Sequence, residues 1–252
     1  MLGHAVLAAL LLRIVYPRTG PDRHRAILRW WSGKVLRILN VTVRVDGSPP
    51  PEAEAGKMIA ANHVSWLDIF VLSSVEPTRF IAKGEIRDWP IAGWLAYESG
   101  TIFIRREQWR DTQRSNERVG AALAQGDCVG LFPEGFTTAG DKLLKFHSAM
   151  FEPAVANRAH VHPAALRYEE PDASLCRDAS FVGDTTFFES MGLIIGRKAI
   201  TARVHFASTL DTEGLKRRDV MRVVEERIAT LLGLTPAGTS PARANGPPAA
   251  PR

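Results

Sequence analysis

Two side chains in the first third of the chain have the types and spacing of a proton-transfer pair. The segment NHVSWLD, residues 62–68, follows an apolar run and places His63 five residues before Asp68. If Ser65 caps a helix here, Asp68 lies about one turn into it and can reach back to the imidazole. A carboxylate bonded to one ring nitrogen leaves the other nitrogen to accept a proton from a hydroxyl. We therefore expect His63 and Asp68 to be catalytic, with Asn62 and Ser65 contacting substrate.

A second polar group follows another apolar run. The segment FPEGFTT, residues 132–138, presents Glu134 between a proline and Gly135, with hydroxyl groups behind it. Proline and glycine hold a glutamate on a rigid turn, and such a loop can order a phosphate or a basic side chain. We expect Glu134, Gly135 and Thr137 to bind substrate beside His63.

A third group consists of two guanidiniums, Arg105 and Arg106, which end the apolar segment at residues 100–104. Arginine at a strand end suits the bidentate capture of phosphate or carboxylate. Each of the three groups follows a strand candidate, and open α/β sheets bind ligands at the carboxyl ends of their strands. The three groups are therefore expected to meet at one edge of a sheet.

The elements that must position these groups alternate along the chain. Strand candidates separated by helical patterns indicate an α/β fold, with a single mixed sheet of about seven strands flanked by helices. The strand candidates are residues 41–45, 57–61, 79–83, 101–105, 128–132, 160–167 and 199–206. The helix candidates are residues 65–75, 86–97, 111–124, 149–156, 187–195 and 219–232.

Length, composition and charge exclude several classes of protein. With 252 residues, 45 % of them hydrophobic and 23 % charged, the chain is not disordered, collagen-like or a polytopic membrane protein. Its two cysteines, Cys128 and Cys176, indicate reduced thiols in a cytosolic setting. Residues 1–50 carry eight Lys/Arg against two acids, whereas the rest of the chain balances at −1. This asymmetry points to an anionic partner, and without recognition patterns for nucleic acid we expect a membrane.

The N-terminal segment predicts a pair of membrane-contacting helices. Residues 1–16 are apolar apart from two side chains, but a helix of that length reaches about 24 Å, short of the roughly 30 Å hydrocarbon core. Residues 24–40 predict a basic amphipathic helix with tryptophans, which suits the membrane interface. Its cations outside the apolar arc are Arg25, Arg29, Lys34 and Arg37. We expect membrane-contacting helices in residues 1–45, an α/β domain in 46–234 and a disordered tail in 235–252.

Taken together, the polar groups resemble the sequence blocks of one family. NHVSWLD resembles the H-x-x-x-x-D motif of the glycerolipid acyltransferases, the 1-acyl-glycerol-3-phosphate (lysophosphatidic acid) acyltransferase family. GTIFIRR resembles the second block, usually G-x-x-F-I-D-R, and FPEGFTTAG resembles the third, FPEGTTS-x-G. Val161-His162-Pro163 is similar to the fourth block, V-P-V. All four stand in the family's order, which supports a common origin more than any block does alone.

The resemblance implies a role for each matched residue. His63 would be the general base and Asp68 its orienting partner. Arg106 would contact phosphate, and Glu134 and Gly135 would help to bind the headgroup of the acceptor.

Two residues depart from the family's pattern. Arg105 stands where aspartate is common and makes the strand end more basic, whereas Phe136 stands where threonine or arginine is common. Both departures bear on which headgroup is accepted and leave the acyl-transfer pair intact.

The reaction that the resemblance implies moves a fatty acyl group from acyl-CoA or acyl-carrier protein to 1-acyl-glycerol-3-phosphate, giving phosphatidic acid in phospholipid biosynthesis. No metal and no cofactor besides the acyl donor are expected. The expected partners are membrane lipids, the lysolipid and the donor, at the cytoplasmic face of a membrane, the inner membrane if the protein is bacterial. Three alternatives stay open: another acceptor such as lyso-ornithine lipid, a non-catalytic lipid-binding protein of the same fold, and a lipid hydrolase.

Overall fold

Seven strands form the centre of the molecule in a computed structural model of the chain. The structure describes residues 20–88, 93, 96–97, 100–104 and 112–236. The predicted helix at residues 1–16, Arg105, Arg106 and nearly all of the predicted tail lie outside these residues. The strands are β1 (Val41–Gly47), β2 (Lys57–Ala61), β3 (Arg79–Lys83), β4 (Ile102–Ile104), β5 (Cys128–Leu131), β6 (Val161–Glu169) and β7 (Ile200–Phe206).

Helices connect the strands within the described residues. They are α1 (Pro21–Ile38), α2 (Leu67–Val75), α3 (Thr112–Ala124), α4 (Glu152–Ala156), α5 (Phe187–Ile195) and α6 (Arg217–Leu232). Short 3₁₀ turns span Gly84–Asp88, Ser148–Phe151 and Arg177–Ala179. The predicted helix at 149–156 is therefore divided, its first half being a 3₁₀ turn, and the predicted helix at 86–97 overlaps a 3₁₀ turn at its start.

The sheet is mixed and has the strand order β1-β7-β6-β2-β5-β3-β4. β7 runs antiparallel to β6, whereas all other neighbouring strands are parallel. Strands β2 to β6 consequently end at the same edge of the sheet, which we call the carboxyl edge. This arrangement confirms the predicted single mixed sheet of seven strands flanked by helices.

The helices cover both faces of the sheet, so that each face has its own hydrophobic core. One core combines apolar residues of α1, α2 and α5 with one face of the strands, and the other combines those of α3, α4 and α6 with the opposite face. Successive residues of β2 alternate between the two cores, as side chains of a strand must. Because both faces are covered, β2 is buried along its whole length and is almost entirely apolar.

Helix α1 packs onto this sheet as part of the domain. Leu36 and Leu39 belong to the first core, and the predicted division at residue 45 falls inside β1. Two cations expected to face lipid headgroups are instead bound to carboxylates: Arg25 lies 2.9 Å from the buried Glu76, and Arg29 pairs with Glu52 and Glu76. Among the described helices, none combines the length and apolar character needed to cross a bilayer.

Candidate active site

His63 and Asp68 meet at the carboxyl edge, directly beyond β2. His63 Nδ1 lies 2.7 Å from Asp68 Oδ2. The Asp68 side chain is fully buried, whereas that of His63 is 21 % exposed. Within the described part of the chain, no hydrogen bond occupies the second ring nitrogen, Nε2. One nitrogen is held by a carboxylate and the other is free to accept a proton, which is the arrangement that general-base chemistry requires.

Backbone groups hold the Asp68 carboxylate at the start of α2. Its Oδ2 accepts the N–H of Val64 at 2.8 Å and the N–H of Ser65 at 3.0 Å, in addition to the imidazole. The N-cap residue of α2 is Trp66, and it makes no side-chain cap bond. The prediction that Ser65 caps this helix is therefore wrong: its hydroxyl is buried and has no hydrogen-bond partner among the described residues.

Tyr168, near the end of β6, supplies a further contact to Asp68. Its hydroxyl donates to Asp68 Oδ1 at 2.7 Å, and its side chain is buried. Burial and the negative charge of Asp68 raise the pKa of the Tyr168 hydroxyl well above its ordinary value, so the phenol keeps its proton and remains a donor. Both oxygens of Asp68 are thereby committed, Oδ1 to Tyr168 and Oδ2 to His63 and the backbone.

The turn that follows β5 holds the backbone of His63 on both sides. Glu134 Oε1 accepts the N–H of His63 at 2.8 Å, and the N–H of Thr138 donates to the His63 carbonyl at 2.9 Å. Glu134 Oε2 accepts the N–H of Leu144 at 2.8 Å, and the side chain of Glu134 is buried. This contradicts the expectation that Glu134 contacts the acceptor, because neither carboxylate oxygen is left to face a ligand. Its role here is to position His63.

The burial of Glu134 also changes its titration. Desolvation raises the pKa of Glu134 to about 7, although the two backbone N–H groups favour the ionised carboxylate. Near neutral pH the carboxyl is therefore divided between its two protonation states. A protonated Glu134 has one poorer acceptor oxygen, so the hold on the His63 backbone weakens as the pH falls.

An aromatic stack supports the imidazole. The His63 ring lies parallel to that of Phe132, with 4.0 Å between ring centroids, and Phe132 stacks on Phe80 at 5.6 Å. Gly130 in β5 makes room for this stack, since a Cβ at that position would come within 2.6 Å of the Phe80 ring. The stack fixes the plane of the imidazole, and the bond to Asp68 fixes its tautomer.

Asn62 joins two strands and does not face substrate. Its amide nitrogen donates to the Leu166 carbonyl at 3.0 Å, and its amide oxygen accepts the Leu166 N–H at 2.7 Å. Asn62 and Ser65 are each 1 % exposed or less. The expectation that Asn62 and Ser65 contact substrate is wrong, because Asn62 is used to tie β2 to β6 and Ser65 is enclosed.

The other residues predicted to bind substrate are Gly135, Thr137, Arg105 and Arg106. Gly135 has a φ of +73°, a left-handed conformation that glycine adopts without strain, and it is partly exposed. Thr137 is partly exposed as well, and its hydroxyl donates to the carbonyl of Phe181. Contact of Gly135 and Thr137 with substrate stays a prediction. Arg105 and Arg106 lie outside the described residues.

Sequence reasoning missed Tyr168, Phe132 and Thr138 as parts of the site. A signal for Tyr168 is present in β6, because strand side chains alternate and Leu166, which bonds to Asn62, lies two residues earlier on the same face. A buried tyrosine needs a hydrogen-bond partner for its hydroxyl. The family's fourth block draws attention to the start of β6, whereas the residue that reaches Asp68 stands near its end.

Comparisons with known proteins agree with this geometry. Residues 42–167 match the family model described as Acyltransferase. The chain is 33 % identical over 246 residues to the lyso-ornithine lipid O-acyltransferase of Pseudomonas aeruginosa, which covers 96 % of this chain and 92 % of that relative. It is 37 % identical over 212 residues to the 1-acyl-sn-glycerol-3-phosphate acyltransferase of Neisseria meningitidis serogroup B, which covers 84 % of this chain and 82 % of that relative.

A solved structure shares the fold. The crystal structure of the 1-acyl-sn-glycerophosphate acyltransferase from Thermotoga maritima superposes with a TM-score of 0.64 at 18 % identity. The match covers 91 % of this chain and 92 % of that chain. At this identity the likeness is one of fold, and it extends over the sheet that carries His63.

Proposed function

Because the chain belongs to the acyltransferase family, we propose that it transfers a fatty acyl group from acyl-CoA or acyl-carrier protein to the free hydroxyl of a lysolipid. The preferred acceptor is 1-acyl-glycerol-3-phosphate, and the product is phosphatidic acid. The observation that carries the proposal is the 2.7 Å contact between His63 Nδ1 and Asp68 Oδ2 at the carboxyl edge.

The proposed reaction uses His63 as its base. Nε2 accepts the proton of the acceptor hydroxyl while that oxygen attacks the thioester carbonyl carbon. The carbon–sulfur bond then breaks, and His63 returns the proton to the departing thiolate. Asp68 accepts a hydrogen bond from Nδ1–H throughout and stabilises the imidazolium. Since a thiolate is a good leaving group, the scheme invokes no metal ion and no cofactor besides the acyl donor.

The cost of building this site favours an enzyme over a lipid-binding protein. Asp68 and Glu134 are buried carboxyl groups, and burying such groups is expensive unless hydrogen bonds compensate for the lost water. Both are used to hold one partly exposed imidazole, with Tyr168 behind them. Lipid binding alone needs no such arrangement. A hydrolase would use the same base on water and would release free fatty acid.

Charge favours a phosphate-bearing acceptor. Two arginines, Arg105 and Arg106, follow β4 in the sequence, and β4 ends at the carboxyl edge. Guanidiniums bind phosphate monoesters through paired hydrogen bonds. The relative from Neisseria meningitidis, named for 1-acyl-sn-glycerol-3-phosphate, supports the same choice.

Lyso-ornithine lipid is a second candidate acceptor. The relative from Pseudomonas aeruginosa, which aligns with 96 % of this chain, is named for that lipid. Phe136, beside Glu134, is 65 % exposed and replaces a threonine or arginine that the family commonly has. The substitution removes a polar group that could bind phosphate.

An acceptor panel tests both the reaction and the choice of substrate. The full chain is assayed with labelled acyl-CoA or acyl-carrier protein against lysophosphatidate, lyso-ornithine lipid and lysophosphatidylethanolamine, with and without a chelator. We expect a diacyl product from either donor, a preference for lysophosphatidate of at least about tenfold in kcat/KM, worth about 1.4 kcal/mol, and no effect of the chelator. A preference for lyso-ornithine lipid would replace the acceptor, and free fatty acid as the main product would overturn acyl transfer.

We also assign the protein to the cytoplasmic face of a membrane, with α1 as one contact. Trp30 is 49 % and Ile38 is 39 % exposed on this helix. Lys34 lies over the Trp30 ring, 5.5 Å from its centroid, and Arg37 is exposed. Exposed tryptophan with neighbouring cations is typical of helices at the interface of anionic membranes.

Charge reversal tests this contact without damaging the fold. Deleting α1 would remove Leu36 from the core, so the helix must stay. The double variant Lys34→Glu and Arg37→Glu should bind anionic vesicles more weakly at low salt, with an unchanged melting temperature. Arg222→Glu on α6, over the other face of the sheet, is the matched control. Equal loss of binding in the control would contradict the assignment.

A further inference from the structure

Helix α5 is apolar on both of its long faces although it lies at the surface. Its inner side buries Ser190 and Ile194 against the first core. Its outer side, which we call the α5 face, follows the spacing i, i+3, i+4, i+7 and consists of Phe188, Met191, Gly192 and Ile195. Phe188 is 80 % exposed and Ile195 is 48 % exposed. A helix that is apolar all round is normally enclosed by protein or by a membrane.

The charged residue of α5 does not make this face polar. Glu189 accepts hydrogen bonds from the N–H of Thr186 at 2.7 Å and from the Thr186 hydroxyl at 2.8 Å. These contacts form a capping box with the N-cap Thr186. The carboxylate therefore closes the start of the helix, and the α5 face itself is left without a polar side chain.

The inner side of α5 connects directly to the active site. Trp66 donates from its indole nitrogen to the Ser190 hydroxyl at 3.1 Å, and its ring lies 5.0 Å from that of Phe187. Trp66 stands three residues after His63 and is the N-cap residue of α2. The α5 face is thus one helix thickness away from the turn that carries the proposed base.

An unpaired cation lies close to the end of α5. Lys198 stands three residues after Ile195 and lines a surface depression together with Arg37 of α1. Neither Lys198 nor Arg37 forms an ion pair with another described residue, whereas Arg197 is bound to Asp178. An apolar face beside free positive charges is complementary to a leaflet with anionic headgroups.

We propose that the α5 face inserts into the lipid leaflet that holds the acceptor, as a membrane contact separate from α1. The inference rests on the proposed function for its choice of a lipid surface. Insertion of Phe188 and Ile195 beside the carboxyl edge brings the interface, where the hydroxyl of a lysolipid lies, close to His63. Sequence analysis predicted a helix over residues 187–195 and assigned it no membrane contact.

A second copy of the chain fits this face less well. A nine-residue helix is about 14 Å long and offers on the order of 150 Å² of contact, whereas a stable dimer needs roughly 800 Å² from each partner. A bilayer requires no minimum area and attracts both cations.

Site-specific fluorescence tests the proposal. The full chain carrying Phe188→Cys is labelled with an environment-sensitive dye, and Arg222→Cys on α6 is the matched control. Burial raises the pKa of Cys128 to about 12 and that of Cys176 to about 11, so neither native thiol competes for the label at neutral pH. Vesicles of phosphatidylcholine with and without phosphatidylglycerol are then added.

The expected result is a blue shift of the dye at position 188 when the protein binds vesicles, larger with phosphatidylglycerol, and no shift at position 222. Absence of a shift at 188 in protein that sediments with vesicles, or equal shifts at both positions, would overturn the proposal. A shift without vesicles that grows with protein concentration would assign the face to a second copy and also overturn it. So would a failure of the full chain to bind vesicles.

A second variant separates this inference from the proposed function. Phe188→Ser combined with Ile195→Ser should weaken vesicle binding about tenfold or more, because two large apolar side chains no longer leave water. The rate with a short-chain, monodisperse acceptor should stay unchanged, while KM for an acceptor in vesicles rises. If the wild-type chain shows the dye shift but no acyl transfer, the membrane contact stands and the proposed function fails. If it transfers acyl groups without the shift, the inference fails and the function stands.

Discussion

Two histidine–carboxylate pairs lie at opposite edges of the sheet, both beside strands β2 and β6. At the carboxyl edge, His63 Nδ1 contacts Asp68 and the imidazole is 21 % exposed. At the other edge, His162 Nε2 lies 2.9 Å from a Glu54 oxygen, Nδ1 lies 3.1 Å from the Thr209 hydroxyl, and the ring is 1 % exposed. The two pairs have the same chemical groups at nearly the same separation. They differ in the surroundings of the second ring nitrogen, which is enclosed in His162 and accessible in His63.

The difference shows what a site requires beyond the pair itself. Burial lowers the pKa of His162, so this ring stays neutral. Its Nδ1 is bonded to Thr209, and its Nε2 is enclosed beside Glu54 without forming a hydrogen bond. At His63, buried groups hold the carboxylate and the backbone, and the imidazole is partly exposed, with no hydrogen bond to Nε2 among the described residues. A histidine–carboxylate pair is thus structural when both nitrogens are enclosed and available for proton transfer when one is accessible.

The sharpest test of this comparison removes each imidazole. His63→Ala should lower kcat by about 10³-fold, the range expected for loss of a general base, and should also lower the free energy of unfolding by about 1–3 kcal/mol, because the buried Asp68 loses a partner. His162→Ala should leave kcat nearly unchanged but lower the free energy of unfolding by about 1–3 kcal/mol, since Glu54 and Thr209 lose a buried partner. Initial rates and urea unfolding measure the two effects. Similar losses of kcat in both variants would contradict the distinction.

Removing the charge of each carboxylate tests the same distinction at the second atom of the pair. Asp68→Asn should lower kcat by about 10²-fold or more, because the neutral amide no longer stabilises the imidazolium that forms on His63. Glu54→Gln should change kcat by less than about threefold, as its pair takes no part in proton transfer. Steady-state assays at saturating donor measure both. A loss of comparable size in Glu54→Gln would place the second pair in the reaction.

The pH dependence of stability tests how Glu134 holds the site. Its folded pKa of about 7 exceeds the ordinary value of 4.5, so between these pH values the folded chain keeps a proton that the unfolded chain has released. The contribution of Glu134 to the free energy of unfolding is therefore fully present below pH 4.5. It is lost as the pH rises through 7, and the total loss is on the order of 3 kcal/mol.

In Glu134→Gln this titration is absent. The unfolding free energy of the wild type minus that of the variant should accordingly fall by on the order of 3 kcal/mol from pH 4.5 to pH 8, whereas the same difference should stay constant for the exposed Glu226→Gln. Urea unfolding at several pH values measures both. A constant gap for Glu134→Gln would mean that its pKa is not raised by burial.

Much of the fold was predictable because strong local patterns coincide with it. The bounds of β2, β3 and α5 agree with the sequence prediction at both ends. The two strands have short apolar centres with Lys57, Arg79 and Lys83 at their ends, and α5 starts after the N-cap Thr186 and ends before Gly196. The predicted start of α4 was less accurate, because a 3₁₀ turn precedes the helix. The periodicity of apolar residues alone does not distinguish a 3₁₀ turn from the first turn of an α-helix.

The contact between His63 and Asp68 was predictable, but the residues that hold this pair were not. His63 and Asp68 are five residues apart, so local geometry brings them together. Glu134 is 71 residues from His63 and Tyr168 is 100 residues from Asp68, and these contacts depend on the strand order. The sequence identified Glu134 as polar and rigidly placed, and only the folded sheet shows that it faces the His63 backbone.

Tyr168 gives the smallest expected effect and tests whether the second oxygen of Asp68 matters. Tyr168→Phe keeps the buried ring and removes one hydrogen bond, so stability should fall by only about 1 kcal/mol. If the hydroxyl positions Asp68, kcat should fall about tenfold. The acidic limb of the kcat/KM profile should also move to higher pH, because a carboxylate with one donor fewer holds the imidazolium more strongly.

Tyr97→Phe is the matched control, because this tyrosine is 52 % exposed and its ring contacts Arg87, with no hydrogen bond to His63 or Asp68 among the described residues. It should leave both the rate and the pH profile unchanged. A purely structural Tyr168 would lower stability and leave the pH profile where it is. That result would reduce the active arrangement to His63, Asp68 and the backbone, and the contrast with His162 would then depend on exposure alone.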